Sequence, residues 1–275
     1  MTTETAVQDK TVTLNGLRFH YRDWEHVGAR PLVLLHGYTG HARSWDTFAR
    51  AMQARYRIPA LDQRGHGETQ WADDYQPERM AEDMDAFARA LDLKNFALLG
   101  LSMGGRNAYA YAATRPAELN KLVIVDIGPE IVPSGSDRIR AGVLTADVFD
   151  DPEEAFHAAR AANPRPPEAE LRHRVLNNLM KRDDGRWTFR YDAALRAPDR
   201  PLPRPDAAQA WAGLAQIACP TLLVRGAESD ILGADTAARM VQTIPDCRMV
   251  EVPNAGHSVP LGLSSGFLAA VQTFL

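Results

Sequence analysis

The residues with the clearest chemical potential are Gly100-Leu101-Ser102-Met103-Gly104-Gly105, which follow the apolar run Asn95–Gly100 and precede a helical pattern beginning at Arg106. Glycines two before and two after a serine permit a sharp strand-to-helix turn that pushes the hydroxyl into the open. The helix N-terminus and the N–H of Met103 then face any negative charge that develops beside Ser102. A serine hydroxyl is a weak nucleophile until a base takes its proton. Among eight histidines, His257 is the choice. It stands in Asn254-Ala255-Gly256-His257-Ser258, a turn after the last β-rich run, where loops at the C-terminal edge of a parallel sheet converge. His20 and His26 fall in an edge hairpin region and His157 and His173 in helical stretches, while His66 reads as a structural loop residue. No histidine has the H-E-x-x-H spacing of a metal site, so neither a catalytic metal nor another cofactor is expected.

The base needs an acid to fix its tautomer and stabilise the imidazolium, and two candidates compete. Asp230 lies in Arg225-Gly226-Ala227-Glu228-Ser229-Asp230, ahead of His257, giving the chain order Ser, Asp, His. Asp126 ends an earlier run, at Val125-Asp126-Ile127-Gly128. Asp230 is preferred because a carboxylate after the penultimate strand lies nearer the histidine loop in a sequentially ordered sheet. Asp126 would then hydrogen-bond the following loop. A second oxyanion donor is expected from Leu34-Leu35-His36-Gly37-Tyr38-Thr39-Gly40, where Gly37 permits inward-facing amides. The main-chain N–H groups of Tyr38 and Met103 are the expected pair. The Tyr38 side chain would line the pocket, and His36 reads as a buried structural residue.

These residues must be held by elements, and the apolar periodicity supplies them. Short β-rich runs fall at Thr11–Leu14, Leu17–Arg22, Pro31–Leu35, Arg57–Leu61, Asn95–Gly100, Lys121–Asp126, Thr221–Gly226 and Arg248–Val252. Helical patterns alternate with them, which predicts an α/β fold with a mostly parallel sheet flanked by helices. Asn15-Gly16 predicts a tight hairpin, with the first two strands antiparallel at one edge. Met80, Met84, Phe87 and Leu91 share one helix face, as do Trp45, Phe48 and Met52, and both stripes read as core.

From about residue 128 to 206 the rhythm breaks. Prolines recur, no convincing buried strand appears, and helical stretches such as Glu153–Ala161 and Glu168–Lys181 predict an inserted helical lid over 128–206. The core would then comprise 1–127 and 207–275. Near the end of the insertion, Trp187, Phe189 and Tyr191 have period-2 spacing that fits a short strand or an aromatic pocket lining. Trp187 is carried as a candidate substrate contact.

Composition narrows the function further. The 275 residues include 31 Lys plus Arg against 35 Asp plus Glu, a net charge of −4, with 45% apolar and 24% charged residues. That balance fits a soluble globular protein and excludes a disordered chain. No block of like charge suggests nucleic acid or an anionic membrane as a partner. The polar start, MTTETAVQDK, has no basic-then-apolar leader, and no apolar run is long enough to span a bilayer, so a cytoplasmic location is expected. Cys219 and Cys247 each precede a predicted strand and read as two thiols in a reducing compartment, although a bridge between neighbouring strands is conceivable.

Taken in order, Leu34–Gly37, Asp62-Gln63-Arg64-Gly65-His66-Gly67, Gly100–Gly105, Gly226–Asp230 and Gly256-His257 make the chain resemble the α/β-hydrolase superfamily from end to end. The resemblance implies an eight-stranded sheet, a lid inserted after the sixth strand, and a Ser102–His257–Asp230 triad. Haloalkane dehalogenases and epoxide hydrolases of that fold carry aspartate at the position of Ser102 and are disfavoured. The branch most similar is that of compact esterases and lactonases. Arg106, together with His36–Gly40, is similar to menaquinone-pathway synthases, in which an arginine there holds a substrate carboxylate. The preferred reading is instead that Arg106 pairs with an acidic neighbour on the helix surface, because a bidentate guanidinium needs an anion within reach.

The expected function is therefore hydrolysis of small to medium carboxylic esters or lactones through an acyl-enzyme on Ser102. The alternative is a carbon–carbon hydrolase or lyase acting on a carboxylate-bearing substrate held by Arg106. A third possibility, a small-molecule receptor, is disfavoured by the complete set of catalytic groups. The expected partner is a small-molecule ester or lactone, and the chain is expected to be a monomer or homodimer.

Overall fold

The Asn15-Gly16 turn takes positive φ at both residues, 49° and 82°, and joins β1 (Gln8–Leu14) to β2 (Leu17–Trp24) as an antiparallel hairpin. The computed structural model describes residues 6–143, 147–197, 206–261 and 265–275. In chain order the further strands are β3 (Arg30–Leu35), β4 (Tyr56–Leu61), β5 (Phe96–Leu101), β6 (Leu119–Val125), β7 (Val148–Phe149), β8 (Leu179–Lys181), β9 (Trp187–Phe189), β10 (Thr221–Gly226) and β11 (Cys247–Val252). The helices are α1 (Asp46–Met52), α2 (Pro77–Ala90), α3 (Met103–Ala113), α4 (Pro133–Val143), α5 (Pro152–Ala162), α6 (Glu168–Asn177), α7 (Ala207–Leu214), α8 (Ala234–Thr243) and α9 (Ser265–Phe274).

The main sheet has eight strands in the order β1-β2-β4-β3-β5-β6-β10-β11. β2 is antiparallel to both its neighbours, and from β4 onward all pairs are parallel. All eight predicted strands are present, with ends moved by at most three residues. The inner strands are continuous apolar runs because helices cover both faces: Leu32–Leu35, Ala97–Leu99 and Leu122–Val125 are buried throughout. One face packs Phe87 of α2, Tyr109 of α3, Leu214 of α7 and Met240 of α8. The other packs Phe48 and Met52 of α1 with Phe267 and Val271 of α9. The two predicted helical stripes, through Met84 and through Trp45, lie in these layers. Cys219 and Cys247 are both free thiols, the first buried and the second half-buried.

The segment between β6 and α7 differs from its expectation in two respects. It carries α4, α5 and α6, but also a three-stranded antiparallel sheet in the order β7-β9-β8, in which β9 is the short strand that the period-2 spacing at Trp187 and Phe189 allows. β7 and β8, of two and three residues, are too short to show a period of their own. The helix expected over Glu168–Lys181 stops at Asn177, because Asn178 leaves the helix and its side-chain amide donates to the Thr39 carbonyl at 2.8 Å. Phe149, Phe156, Leu171, Val175 and Leu179 form a small core of this segment's own. Prolines 198, 201, 203 and 205 lie outside the described residues.

Candidate active site

Ser102 sits between β5 and α3 with φ 53° and ψ −118°, a conformation that costs a non-glycine residue about 1–3 kcal/mol. The flanking glycines make the turn possible. A Cβ at Gly100 would lie 2.2 Å from the Gly104 carbonyl oxygen, and one at Gly104 would lie 2.3 Å from the Leu35 carbonyl oxygen. The Ser102 N–H donates to Val125 O at 2.9 Å, and the Arg106 N–H returns to Ser102 O at 2.9 Å to start the helix. The strain is thus held by backbone contacts on both sides of the serine.

His257 comes from the loop after β11. Its Nε2 lies 2.9 Å from Ser102 Oγ, and its Nδ1 lies 2.8 Å from Oδ2 of Asp126. With Nδ1–H donating to the carboxylate, Nε2 carries the lone pair that can accept the serine proton. Asp126 is fully buried at the end of β6, with φ 52°. Its Oδ1 accepts the Gly226 N–H at 2.9 Å, and its Oδ2 also accepts the Ser229 hydroxyl at 2.5 Å. A buried carboxylate tolerates its charge only when so supplied with donors.

The acid behind the histidine is therefore Asp126, and the expectation for Asp230 is corrected. Asp230 turns outward from the same loop and forms a two-point ion pair with Arg138 of α4, Nε to Oδ2 at 2.5 Å and Nη2 to Oδ1 at 2.9 Å. That guanidinium holds the Asp230 carboxyl below the usual carboxylate range. The reason is one residue of phase. The turn closed by the Ser229 N–H on Gly226 O at 2.9 Å aims Ser229 inward, where its Oγ also accepts the N–H groups of Ile231 and Leu232 at 3.1 Å each.

The loop after β3 runs against the elbow. A Cβ at Gly37 would meet Ser102 Cβ at 3.4 Å, and the loop turns on a Gly40 N–H to Gly37 O bond of 2.9 Å. Tyr38 follows at once, and Met103 is the first residue of α3. Beneath them His36 is fixed as a neutral ring: Nδ1–H donates to Gly37 O at 2.8 Å and Nε2 accepts the Gln63 N–H at 3.0 Å. Burial pushes His36 down to about 3 and His66 down to about 4, so both are structural, uncharged groups near neutral pH.

A cavity of about 340 Å³ opens on Ser102 and Met103. Tyr38, Tyr75, Tyr109, Ile127, Ile139 and Leu195 make its wall largely apolar, and the Tyr38 hydroxyl is tied to the Leu195 carbonyl. Arg106 also stands in this wall rather than on an outer helix surface, close enough for its charge to favour ionisation of the Tyr38 and Tyr109 phenols against the upward pull of their burial. Trp187 does not line the cavity. It belongs to β9, opposite Phe149 and Lys181, and packs against the small core of Phe149, Phe156 and Leu171, so the period-2 spacing is that of a strand. Of that aromatic group, Tyr191 approaches the site, packing with Met103, Tyr75 and Leu195.

The sequence offers Asp126 as the second candidate acid, and Ser229 enters only through the structure. The available signal was a serine three residues after Gly226 beside an outward aspartate with an arginine to meet it. Among the described residues no cluster of three or more His, Cys, Asp or Glu side chains could hold a metal ion, and no helix is long and apolar enough to cross a membrane.

Comparison with known proteins identifies the fold family. A family profile described as the alpha/beta hydrolase fold matches residues 30–261. The chain is 31% identical to the 3-hydroxybutyrate-oligomer hydrolase of Cupriavidus necator, over 88% of this chain and 87% of that protein. It is 30% identical to the sn-1-specific diacylglycerol lipase ABHD11 of Mus musculus, over 89% of this chain and 80% of the other. The crystal structure of an alpha/beta hydrolase from Novosphingobium aromaticivorans superposes with a TM-score of 0.83 at 30% identity, covering 98% of this chain and 97% of that one. The chain belongs to the α/β-hydrolase family.

Proposed function

We propose that the protein hydrolyses carboxylic esters or lactones of small to medium size through an acyl-enzyme on Ser102. The observation that carries this reading is the continuous relay from Ser102 Oγ through His257 to Asp126, at 2.9 and 2.8 Å, opening on an apolar cavity. Ser102 attacks the carbonyl carbon while His257 Nε2 takes its proton. Asp126 keeps the imidazole in the accepting tautomer and balances the imidazolium. The backbone N–H groups of Tyr38 and Met103 receive the oxyanion, each contributing on the order of 10²–10³ in rate. His257 then protonates the departing alcohol, and water, activated by the same ring, releases the acid. An apolar wall with few polar groups suits an acyl chain better than a peptide. The names of the two relatives, a hydrolase of an oligomer and a lipase, support hydrolysis without naming this chain's substrate.

The test is turnover of p-nitrophenyl esters from acetate to decanoate, with a serine-directed phosphonate as a label. Ser102→Ala and His257→Ala should each lower kcat by on the order of 10⁴–10⁶. Retained turnover in pure Ser102→Ala protein contradicts the reading.

One observation favours a second reading. Arg106 lies in the cavity wall, where a guanidinium could hold a substrate carboxylate while Ser102 and His257 serve carbon–carbon bond hydrolysis or an elimination. Labelling by the phosphonate without ester turnover, together with activity on carboxylate-bearing substrates that Arg106→Met abolishes, would put this reading first.

A further inference from the structure

His257 borders a second cavity. It measures about 440 Å³ and, among the described residues, shares no lining residue with the cavity on Ser102. Helix α4 flanks both, giving Ser136 and Ile139 to the first cavity and Arg138 to the second. Its place is fixed by close contact: a Cβ at Gly135 would fall 1.8 Å from the Asp230 carbonyl oxygen, and the Val132 N–H donates to Ile231 O at 3.0 Å. The chemistry of the two spaces differs. The second contains two ion pairs, Arg138 with Asp230 at 2.5 Å and Arg165 with Glu228 at 2.6 Å, and also Asn163. Two cations face two anions, so these four side chains carry no net charge.

We propose that this second cavity binds the leaving alcohol of the substrate, and that the alcohol it takes is an uncharged polyol. The proposal rests on the acyl-enzyme reading above. In acylation the bond from Ser102 Oγ to the carbonyl carbon forms and the bond from that carbon to the alcohol oxygen breaks. The serine proton passes through His257 Nε2 to the departing oxygen. That oxygen must come within hydrogen-bond reach of Nε2, so the rest of the alcohol occupies space beside His257. Ser102 and His257 touch at 2.9 Å yet border different cavities, which divides the substrate into an acyl half and an alcohol half. The two pairs balance each other, so the cavity's charge favours neither an anion nor a cation over a neutral partner. Hydroxyl groups instead donate to the remaining carboxylate lone pairs and accept the remaining guanidinium N–H groups, leaving both pairs intact. An alkyl alcohol would strip water from these ions and return nothing.

The test uses butyrate esters that share one acyl group and differ in the alcohol: glycerol, hexanol, choline and a hydroxy acid. Their kcat/KM values cover the steps through alcohol release, and deacylation is common to all. The glyceryl ester should exceed each of the others by about tenfold or more, the worth of one or two well-made hydrogen bonds. Arg165→Met should bring the glyceryl-to-hexyl ratio close to one. Because that ratio is taken within one protein, any loss of folded enzyme cancels from it. A preference for hexyl or for either charged alcohol, or a ratio unmoved by Arg165→Met, overturns the proposal while p-nitrophenyl butyrate turnover keeps the acyl-enzyme reading. Absence of turnover on every ester, p-nitrophenyl butyrate included, removes the acyl-enzyme reading and the proposal with it.

Discussion

Ser229 donates its hydroxyl hydrogen bond to Oδ2 of Asp126 at 2.5 Å, the same oxygen that receives Nδ1–H of His257 at 2.8 Å. The loop after β10 thus supports the acid of the relay without supplying it, while the next residue, Asp230, serves an ion pair on the other side of that loop.

The two aspartates should separate sharply on substitution. Asp126→Asn removes the charge that balances the imidazolium and permits the wrong ring tautomer, with an expected fall in kcat of about 10³–10⁴. Asp230→Asn should cost about tenfold at most, because only its exposed pair with Arg138 is lost. Steady-state kinetics on one p-nitrophenyl ester ranks them, and the reverse ranking would restore Asp230 as the acid.

Ser229→Ala should lower kcat by about tenfold and leave KM nearly unchanged. The hydroxyl lost here restrains the carboxylate and caps the N–H groups of Ile231 and Leu232, none of which lines the acyl cavity as a donor to substrate. A change confined to KM would mean that Ser229 acts on substrate rather than on Asp126.

Gly104→Ala should prevent or severely weaken folding. A methyl group placed 2.3 Å from the Leu35 carbonyl oxygen and 2.6 Å from that of His36 must push backbone, not a flexible side chain. Loss of soluble protein, or a thermal midpoint many degrees below that of the wild type, is the expected result. A normal midpoint would show that β3 and α3 can separate.

Acid should weaken the fold well before carboxylates titrate. His36, His41 and His66 are completely buried, and burial holds them down to about 3, about 4 and about 4, against about 6.5 in an unfolded chain. Depressed values mean that the unfolded chain takes up three protons that the fold refuses. Their stabilisation is present above about pH 6.5 and is lost as pH falls toward 4. His20 works in the opposite sense. Burial pulls it down, but its hydrogen bond to Asp62 and that carboxylate's charge leave it raised, so its contribution is present below about pH 6.5 and fades as pH rises through its folded value. Between pH 6 and 4.5 the three protons dominate, with a slope of up to about 4 kcal/mol per pH unit. Urea midpoints at pH 7, 5.5 and 4.5 should fall steadily, and a flat series would mean that these rings reach water.

Much of this molecule is legible in its residues. Leu32–Leu35 or Leu122–Val125 can hardly be anything but a buried strand, and Gly100–Gly105 requires its turn for steric reasons that survive in any context. What escaped depends on phase and distance. Ser229 and Asp230 are neighbours in one turn, and which of them faces His257 is decided by the bond between Ser229 N–H and Gly226 O. Strand β7 forms only because residues 40 apart meet, as Val148 does with Thr188, whereas β8 and β9 pair as a local hairpin of three residues a side. Trp187 accordingly packs against the core of Phe149, Phe156 and Leu171 instead of reaching the site.

The central claim is a covalent acyl group on Ser102, and intact-protein mass spectrometry during p-nitrophenyl butyrate turnover tests it most directly. Acid quenching in the first turnovers should reveal a population heavier by one butyryl group, with peptide mapping placing the added mass on Ser102 and none appearing in Ser102→Ala. Full turnover with no acylated species at any time, or acylation at another residue, would contradict the account.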